Sequence, residues 1–344
     1  MTVWGEKLQF RTLLHLSHPM PSFQHLLLKQ LLTAAAVPLA RRKPSLGAMR
    51  LAMEAGSLFQ FMPWAVHLES LKLENRLEAE WLRPRGAHPT RALLYLHGGG
   101  YVLGSLNTHR SLVGRLAERC GLNALTINYR KAPDHPFPAA LDDAKRAYRW
   151  LLRHGHQPQD IVVAGDSAGG GLALALLLAL RDAGEALPAA AVGLSPWTDL
   201  HLPITALRRV AREEGLLFEA LQMRTWGGLY AHKTALEHPL LSPAQADLHG
   251  LPPLLIQVST AEVLYEDVVK FVDKAQAAGV KVTLQPFEGL VHWWHLFWRI
   301  VPEARQALDQ VAGFLQQLWA DHEVSSVSWP VPPPRRSAPR RRAA

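Results

Sequence analysis

The chain has 344 residues, of which 48% are hydrophobic and 19% charged, a composition typical of a soluble enzyme built on one large domain. The net charge of +8 includes five arginines between positions 335 and 342. The rest of the chain is therefore close to neutral, and we expect no nucleic-acid partner. Cys120 is the single cysteine, which excludes an intrachain disulfide and favours a reducing compartment, so we expect a cytoplasmic protein.

Residues 1–64 are predicted to form an N-terminal helical cap. The segment from Phe23 to Ala40 is rich in Leu and Ala, and a second helix is predicted from Leu46 to Phe59. The first segment is too interrupted for a membrane span and lacks the basic start of a signal peptide; the interrupting residues are His25, Lys29 and Pro38. Packing on a catalytic domain is favoured over attachment to a membrane surface, so membrane association is not expected.

From Ala65 the pattern changes to strands. A hairpin is predicted from Val66–Leu73 and Arg76–Leu82. Strands then alternate with helices of ten or more residues up to residue 323, which predicts a mostly parallel sheet with helices on both faces. The predicted strands are 91–96, 124–129, 161–164, 189–194, 254–258 and 280–287, and the predicted helices are 110–120, 139–154, 169–183 and 266–278. Catalytic residues of such sheets lie at the carboxyl ends of the strands.

Two segments interrupt or follow this alternation. Residues 203–249 lie between two core strands and are helical and irregular in pattern, so we interpret them as an insertion that contributes to the substrate pocket. Residues 324–344 are dominated by Ser, Pro and Arg, which predicts a disordered basic tail.

The pentapeptide Gly165-Asp166-Ser167-Ala168-Gly169 joins a predicted strand to a predicted helix. A serine between two glycines at such a corner fits a nucleophile elbow, in which the turn is too tight for bulky side chains two residues before and after the serine. The pattern therefore predicts that the hydroxyl of Ser167 is a nucleophile at the carboxyl end of the sheet.

A serine nucleophile needs a base, and the base needs a carboxylate that orients it. Glu262 follows the strand 254–258, and His292 follows the strand 280–287, so both residues should lie at the same edge as Ser167. The alternatives for the acid are Glu266 and Asp267, which lie further along the next helix. The alternative for the base is His295. We favour Glu262 because it lies just beyond the strand end, a turn nearer than the alternatives. We favour His292 because only its loop position leaves the imidazole free to reach the serine.

The run His97-Gly98-Gly99-Gly100 directly follows a strand and is predicted to supply an oxyanion hole. Its glycines let the backbone approach a ligand, and the amides of Gly98, Gly99 and Ala168 are the predicted donors. A phosphate-binding loop is disfavoured because the spacing of a dinucleotide fingerprint and the lysine of a P-loop are missing. His97 is interpreted as a structural residue of this loop.

No cofactor and no metal are expected. The remaining histidines are scattered without the spacing of metal ligands, and one cysteine makes a zinc site improbable; they are His109, His135, His201, His232, His238 and His249.

Four ordered motifs resemble the hormone-sensitive lipase family of carboxylesterases: His97–Gly100, Tyr129–Ala140, Gly165–Gly170 and Ser195–Leu200. The resemblance extends over about 66–318. It implies an α/β-hydrolase fold with an eight-stranded sheet and an N-terminal cap, and hydrolysis of short- to medium-chain acyl esters without a cofactor. It implies a small-molecule ester as substrate and is compatible with a homodimer.

The resemblance assigns the nucleophile to Ser167, the base to His292 and the acid to Glu262. Glutamate is a departure, since aspartate is usual at the acid position. The triad alone also fits hydrolysis of a lactone, carbamate or amide. A non-catalytic binding protein of the same fold is disfavoured, because the base is present.

Overall fold

A computed structural model describes residues 20–42, 44–201 and 217–327. Part of the predicted cap, residues 1–19, lies outside the described residues, as do 202–216 of the predicted insertion and 328–344 of the predicted tail. The division into cap, catalytic domain and tail therefore stays a prediction.

The centre of the fold is an eight-stranded sheet in the order β1-β2-β4-β3-β5-β6-β7-β8. β2 is antiparallel to both of its neighbours, and the other strand pairs are parallel. The mostly parallel sheet predicted from the alternation of strands and helices is thus confirmed. The strands are β1 Val66–Lys72, β2 Glu78–Pro84, β3 Ala92–Leu96, β4 Asn123–Ile127, β5 Ile161–Asp166, β6 Ala190–Leu194, β7 Leu254–Ser259 and β8 Val282–Phe287.

The helices of the described residues are α1 Phe23–Arg42, α2 Leu46–Ser57, α3 Leu106–Cys120, α4 Ala139–Arg153, α5 Ala168–Asp182, α6 Leu217–Ala231, α7 Tyr265–Ala277 and α8 Pro302–Val327. α3 starts four residues before its predicted start, because Ser105 and Thr108 form a capping box at its first turn. α8 extends into the predicted tail, whose residues 324–327 are helical. Along the described part of the chain, no helix is both long and apolar enough to cross a membrane.

Helices cover both faces of the sheet. One buried cluster includes Tyr148 of α4, Leu176 of α5 and Phe271 of α7. The other includes Leu112 of α3 and Leu308 of α8. Because both faces are covered, every residue of β3, β5, β6 and β7 is buried.

The strand register places the predicted site loops at one edge. Leu96 pairs with Gly165, Asp166 with Leu194, and Ser259 with Phe287, and these pairs lie at the carboxyl ends of their strands. The loops that follow β3, β5, β6, β7 and β8 therefore all begin at the same edge of the sheet. This edge carries the candidate site.

Candidate active site

Ser167 occupies the corner between β5 and α5 with φ 51° and ψ −120°, a backbone conformation that is uncommon for a residue with a side chain. The corner is held by two hydrogen bonds, from the Ser167 amide to the Leu194 carbonyl (2.9 Å) and from the Trp197 amide to the Ser167 carbonyl (2.8 Å). A Cβ atom at Gly165 would collide with the Gly169 backbone, and one at Gly169 would collide with the Leu96 carbonyl. Both glycines are therefore required by the close packing of the corner.

The structure brings Ser167, His292 and Glu262 together. The Nε2 atom of His292 lies 2.9 Å from Oγ of Ser167, and its Nδ1 atom lies 2.6 Å from Oε2 of Glu262. All three side chains are buried. Since a carboxylate only accepts, the neutral imidazole donates Nδ1–H to Glu262, and its unprotonated Nε2 accepts the hydrogen bond of the serine hydroxyl.

Two further contacts fix the Glu262 carboxylate. Its Oε1 atom accepts hydrogen bonds from the Ser195 hydroxyl (2.7 Å) and from the Ser259 amide (2.9 Å), so Oε2 is aimed at His292. The alternative acids of the same segment lie elsewhere. Glu266 is exposed on α7, and Asp267 forms an ion pair with Lys270 at 3.1 Å.

The sequence argument assigned no role to Ser195. Its position at the end of β6, within the motif Ser195–Leu200, was the available signal, because every other site loop also follows the carboxyl end of a strand. The partner of Ser195 lies outside the motif, because Glu262 is 67 residues away along the chain.

The alternative base, His295, forms its hydrogen bond with a residue other than Ser167. Its Nε2 atom lies 3.1 Å from Oε1 of Gln257, and the ring is buried. Burial lowers the pKa of His295 to about 3, partly opposed by the charge of Asp166, so the ring is neutral at neutral pH.

The glycine-rich loop differs from the prediction at Gly98. The Gly98 amide donates to Oδ1 of Asp166 at 2.9 Å within the protein, and it is therefore not available to an oxyanion. By contrast, within 44–201 and the other described ranges, the amides of Gly99, Gly100 and Ala168 donate to no protein acceptor. Of the glycine amides in this part of the described structure, those of Gly99 and Gly100, and not that of Gly98, are therefore open to a ligand.

Asp166 ties the glycine-rich loop to the nucleophile corner. Besides the Gly98 amide, its carboxylate accepts from the Tyr95 hydroxyl (2.8 Å) and lies 3.2 Å from Nε2 of His109. Burial raises the pKa of Asp166, but His109 and the Tyr95 hydrogen bond outweigh it and bring the pKa to about 2. The group is therefore a carboxylate at neutral pH, as an acceptor of these donors must be.

His97 lies within the same loop. Its ring stacks on Tyr129 with 4.2 Å between the ring centroids, and its Nδ1–H donates to the Gly98 carbonyl at 2.8 Å. Burial lowers the pKa of His97 well below its ordinary value. A neutral ring in these contacts has the structural role that the sequence suggested.

Comparison with known proteins gives the family. The model of a family with the alpha/beta hydrolase fold matches residues 93–296. An acetyl-hydrolase of Streptomyces hygroscopicus is 46% identical over 239 residues, which are 69% of this chain and 79% of the relative.

Solved structures show the same family relationship. A crystal structure of an esterase/lipase from an uncultured bacterium has a TM-score of 0.80 at 39% identity, over 87% of this chain and 99% of that one. A hormone-sensitive lipase from a metagenome library has a TM-score of 0.79 at 32% identity, over 87% and 99% of the two chains.

The chain belongs to the hormone-sensitive lipase family of α/β hydrolases.

The match to the family model covers every residue of the site described above, whereas α1, α2 and all of α8 lie outside it. In this hydrolase a narrow cavity of about 10 Å³ opens beside the Ser167 hydroxyl, room for about one water molecule. Both polar and apolar side chains line it: Leu112, Asp166, Ser167, Leu194, Ser195, His292, Trp293, His295 and Leu296.

Proposed function

We propose that this hydrolase is a serine carboxylesterase for esters of short acyl chains, with Ser167 as nucleophile, His292 as base and Glu262 as acid. Family membership makes it an ester hydrolase. One observation carries the residue roles. The continuous hydrogen-bonded line from Ser167 Oγ to His292 Nε2, 2.9 Å, and from His292 Nδ1 to Glu262 Oε2, 2.6 Å, is the geometry that activates a serine hydroxyl.

In the first half of the reaction, Oγ of Ser167 forms a bond to the ester carbonyl carbon while its proton moves to Nε2 of His292. The negative charge that develops on the carbonyl oxygen is stabilised by the free amides of Gly99, Gly100 and Ala168. The tetrahedral intermediate then expels the alcohol, which takes the proton from His292 and leaves an acyl-enzyme on Ser167.

In the second half, water replaces the alcohol. His292 accepts a proton from the water, whose oxygen bonds to the acyl carbon, and the proton is returned to Oγ of Ser167 as the carboxylic acid leaves. In both halves the carboxylate of Glu262 stabilises the transient imidazolium and keeps its Nδ1 atom protonated.

The preference for short acyl chains has two supports. The cavity beside Ser167 is small, and the side chains that narrow it are Leu112, Leu194, Trp293 and Leu296. In addition, a relative at 46% identity is named an acetyl-hydrolase.

The test is a series of p-nitrophenyl esters from acetate to long-chain acyl groups, with wild type and Ser167→Ala. We expect the highest kcat/KM for the shortest chains and a loss of at least about 10³-fold in Ser167→Ala. Hydrolysis by Ser167→Ala at the wild-type rate contradicts the assignment of the nucleophile. Wild-type protein that is inert on every ester, but active on lactones, carbamates or amides, contradicts the substrate class.

A further inference from the structure

In the loop that carries His292, three consecutive backbone amides donate hydrogen bonds to side chains outside the loop. Gly289 donates to Oγ1 of Thr260 (3.1 Å), and Leu290 donates to Oγ of Ser259 (2.8 Å). Both acceptors lie at the end of β7, next to Glu262. The third amide, that of Val291, donates to Nε2 of His25 at 3.0 Å.

The third acceptor comes from the N-terminal helix. His25 lies in the first turn of α1 and is fully buried, and the chain separation to Val291 is 266 residues. Val291 directly precedes His292, so this hydrogen bond fixes the backbone one residue before the imidazole. Among the described side chains of α1, at positions 23–34, His25 is the one that forms a hydrogen bond with this loop.

The start of α1 is itself fixed to the catalytic part of the chain. The Ser22 amide and hydroxyl both donate to the carboxylate of Glu303 in α8, at 2.5 and 2.9 Å, and the Ser22 hydroxyl accepts from the His25 amide at 3.3 Å. Leu28, one turn further along α1, is buried in the cluster that contains Leu290. The contacts of Ser22 therefore fix the first turn of α1, and with it the position of His25.

The ring of His25 is in the state that this contact requires. Because Nε2 accepts a hydrogen bond, the ring is neutral and its proton is on Nδ1. Burial lowers the pKa of His25, Glu303 opposes this shift and Lys29 adds to it. A charged ring would have a proton on both nitrogens and would repel the Val291 amide.

We propose that His25 is a positioning residue for the reaction, which holds the His292 loop through the Val291 amide and makes helix α1 a working part of the active site. The inference rests on the proposed role of His292 as the base. It assigns to the N-terminal helix a task beyond covering the pocket: without His25, the loop has two of its three anchors, and the imidazole moves relative to Ser167.

The test compares three variants by steady-state hydrolysis of p-nitrophenyl acetate, with active sites counted by a phosphonate that labels Ser167. His25→Leu keeps a buried side chain but removes the acceptor. His25→Gln places an amide oxygen near the position of Nε2. Leu28→Ala is the matched control, since it weakens the packing of α1 and leaves the contact to Val291 in place.

We expect His25→Leu to lower kcat by roughly tenfold to a hundredfold with KM within about twofold, because displacement of a catalytic group acts on the chemical step. His25→Gln should recover most of this loss. Leu28→Ala should lower the melting temperature and keep kcat per active site within about twofold. Such a pattern separates positioning from loss of stability.

Three results overturn the inference: a wild-type kcat in His25→Leu, a loss in His25→Leu that His25→Gln does not reduce, or an equal loss of kcat in Leu28→Ala. Activity of wild type and its absence in Ser167→Ala, measured on the same ester, test the proposed function separately. A failure of the role of His25 is therefore distinct from a failure of the esterase assignment.

Discussion

The length of the acid side chain is the feature of the site most open to a decisive test. Glu262 spans the distance between two groups of partners: Oε2 is 2.6 Å from Nδ1 of His292, and Oε1 is 2.7 and 2.9 Å from the Ser195 hydroxyl and the Ser259 amide. Glu262→Asp shortens the side chain by one carbon–carbon bond, about 1.5 Å. A carboxylate that keeps the Ser195 and Ser259 contacts then lies roughly 4 Å from His292, beyond hydrogen-bond distance.

If the shortened carboxylate follows His292 instead, it loses the contacts that orient it. We therefore expect kcat to fall by roughly 10² to 10⁴, between the effect of a 1 Å displacement and that of an acid that no longer holds the base. This range corresponds to about 3 to 5 kcal/mol of transition-state stabilisation. KM should change little, because Glu262 is buried behind the imidazole.

The assay is hydrolysis of p-nitrophenyl acetate, normalised by active-site labelling. Glu266→Asp is the control, since it removes the same methylene from an exposed side chain four residues along. A Glu262→Asp variant that keeps more than half of the wild-type kcat refutes the argument from reach. An equal loss in Glu266→Asp refutes the choice of acid.

Two further predictions concern the glycine-rich loop and its anchor. Gly100 has φ +62°, and an added Cβ would collide with the ring of Trp226, so Gly100→Ala should displace the loop amides and lower kcat by roughly 10²-fold. Gly228→Ala is the control and should keep the wild-type kcat, because a Cβ at Gly228 meets nothing within 4 Å. Circular dichroism checks that both variants fold. The pKa of Asp166, about 2 in the fold against an ordinary 3.8, corresponds to about 2 kcal/mol of stability. Since the pKa is depressed, this stabilisation is present above pH 4 and is lost as the pH falls towards 2. The difference in urea unfolding free energy between wild type and Asp166→Asn should therefore narrow between pH 5 and pH 3, and a difference that widens there contradicts the reasoning.

Much of the fold follows from patterns that are local in the sequence. Strand and helix periodicities, the glycines at 165 and 169, and the alternation of elements predict a mostly parallel sheet and the edge at which its site lies. The positions of Ser167, Glu262 and His292 follow in the same way, because each comes directly after a strand whose carboxyl end is at that edge. Side-chain type and distance from a strand end are both visible in a linear sequence.

The partners of individual polar groups are not visible there. The Gly98 amide was predicted to bind an oxyanion, but its acceptor, Asp166, is supplied from 68 residues away by the pairing of β3 with β5. The same applies to Ser195, which meets Glu262 only when β6 and β7 pair. A glycine-rich run shows that backbone amides are accessible; which of them remain free depends on the packing around them.

The N-terminal helix contains a polar contact whose two partners lie further apart in the chain than either of these pairs. Local pattern predicts a helix rich in Leu and Ala and treats His25 as an interruption of this apolar segment, whereas the fold places its ring against a loop 266 residues away. A helical periodicity shows which residues lie on one face of a helix. Which element packs against that face is decided by long-range packing. The sequence by itself therefore determined the sheet, the site edge and the three side chains proposed as catalytic. Tertiary structure decided which loop amides lack a protein acceptor and which groups contact Glu262 and the His292 loop, because those partners are brought together by strand pairing and packing.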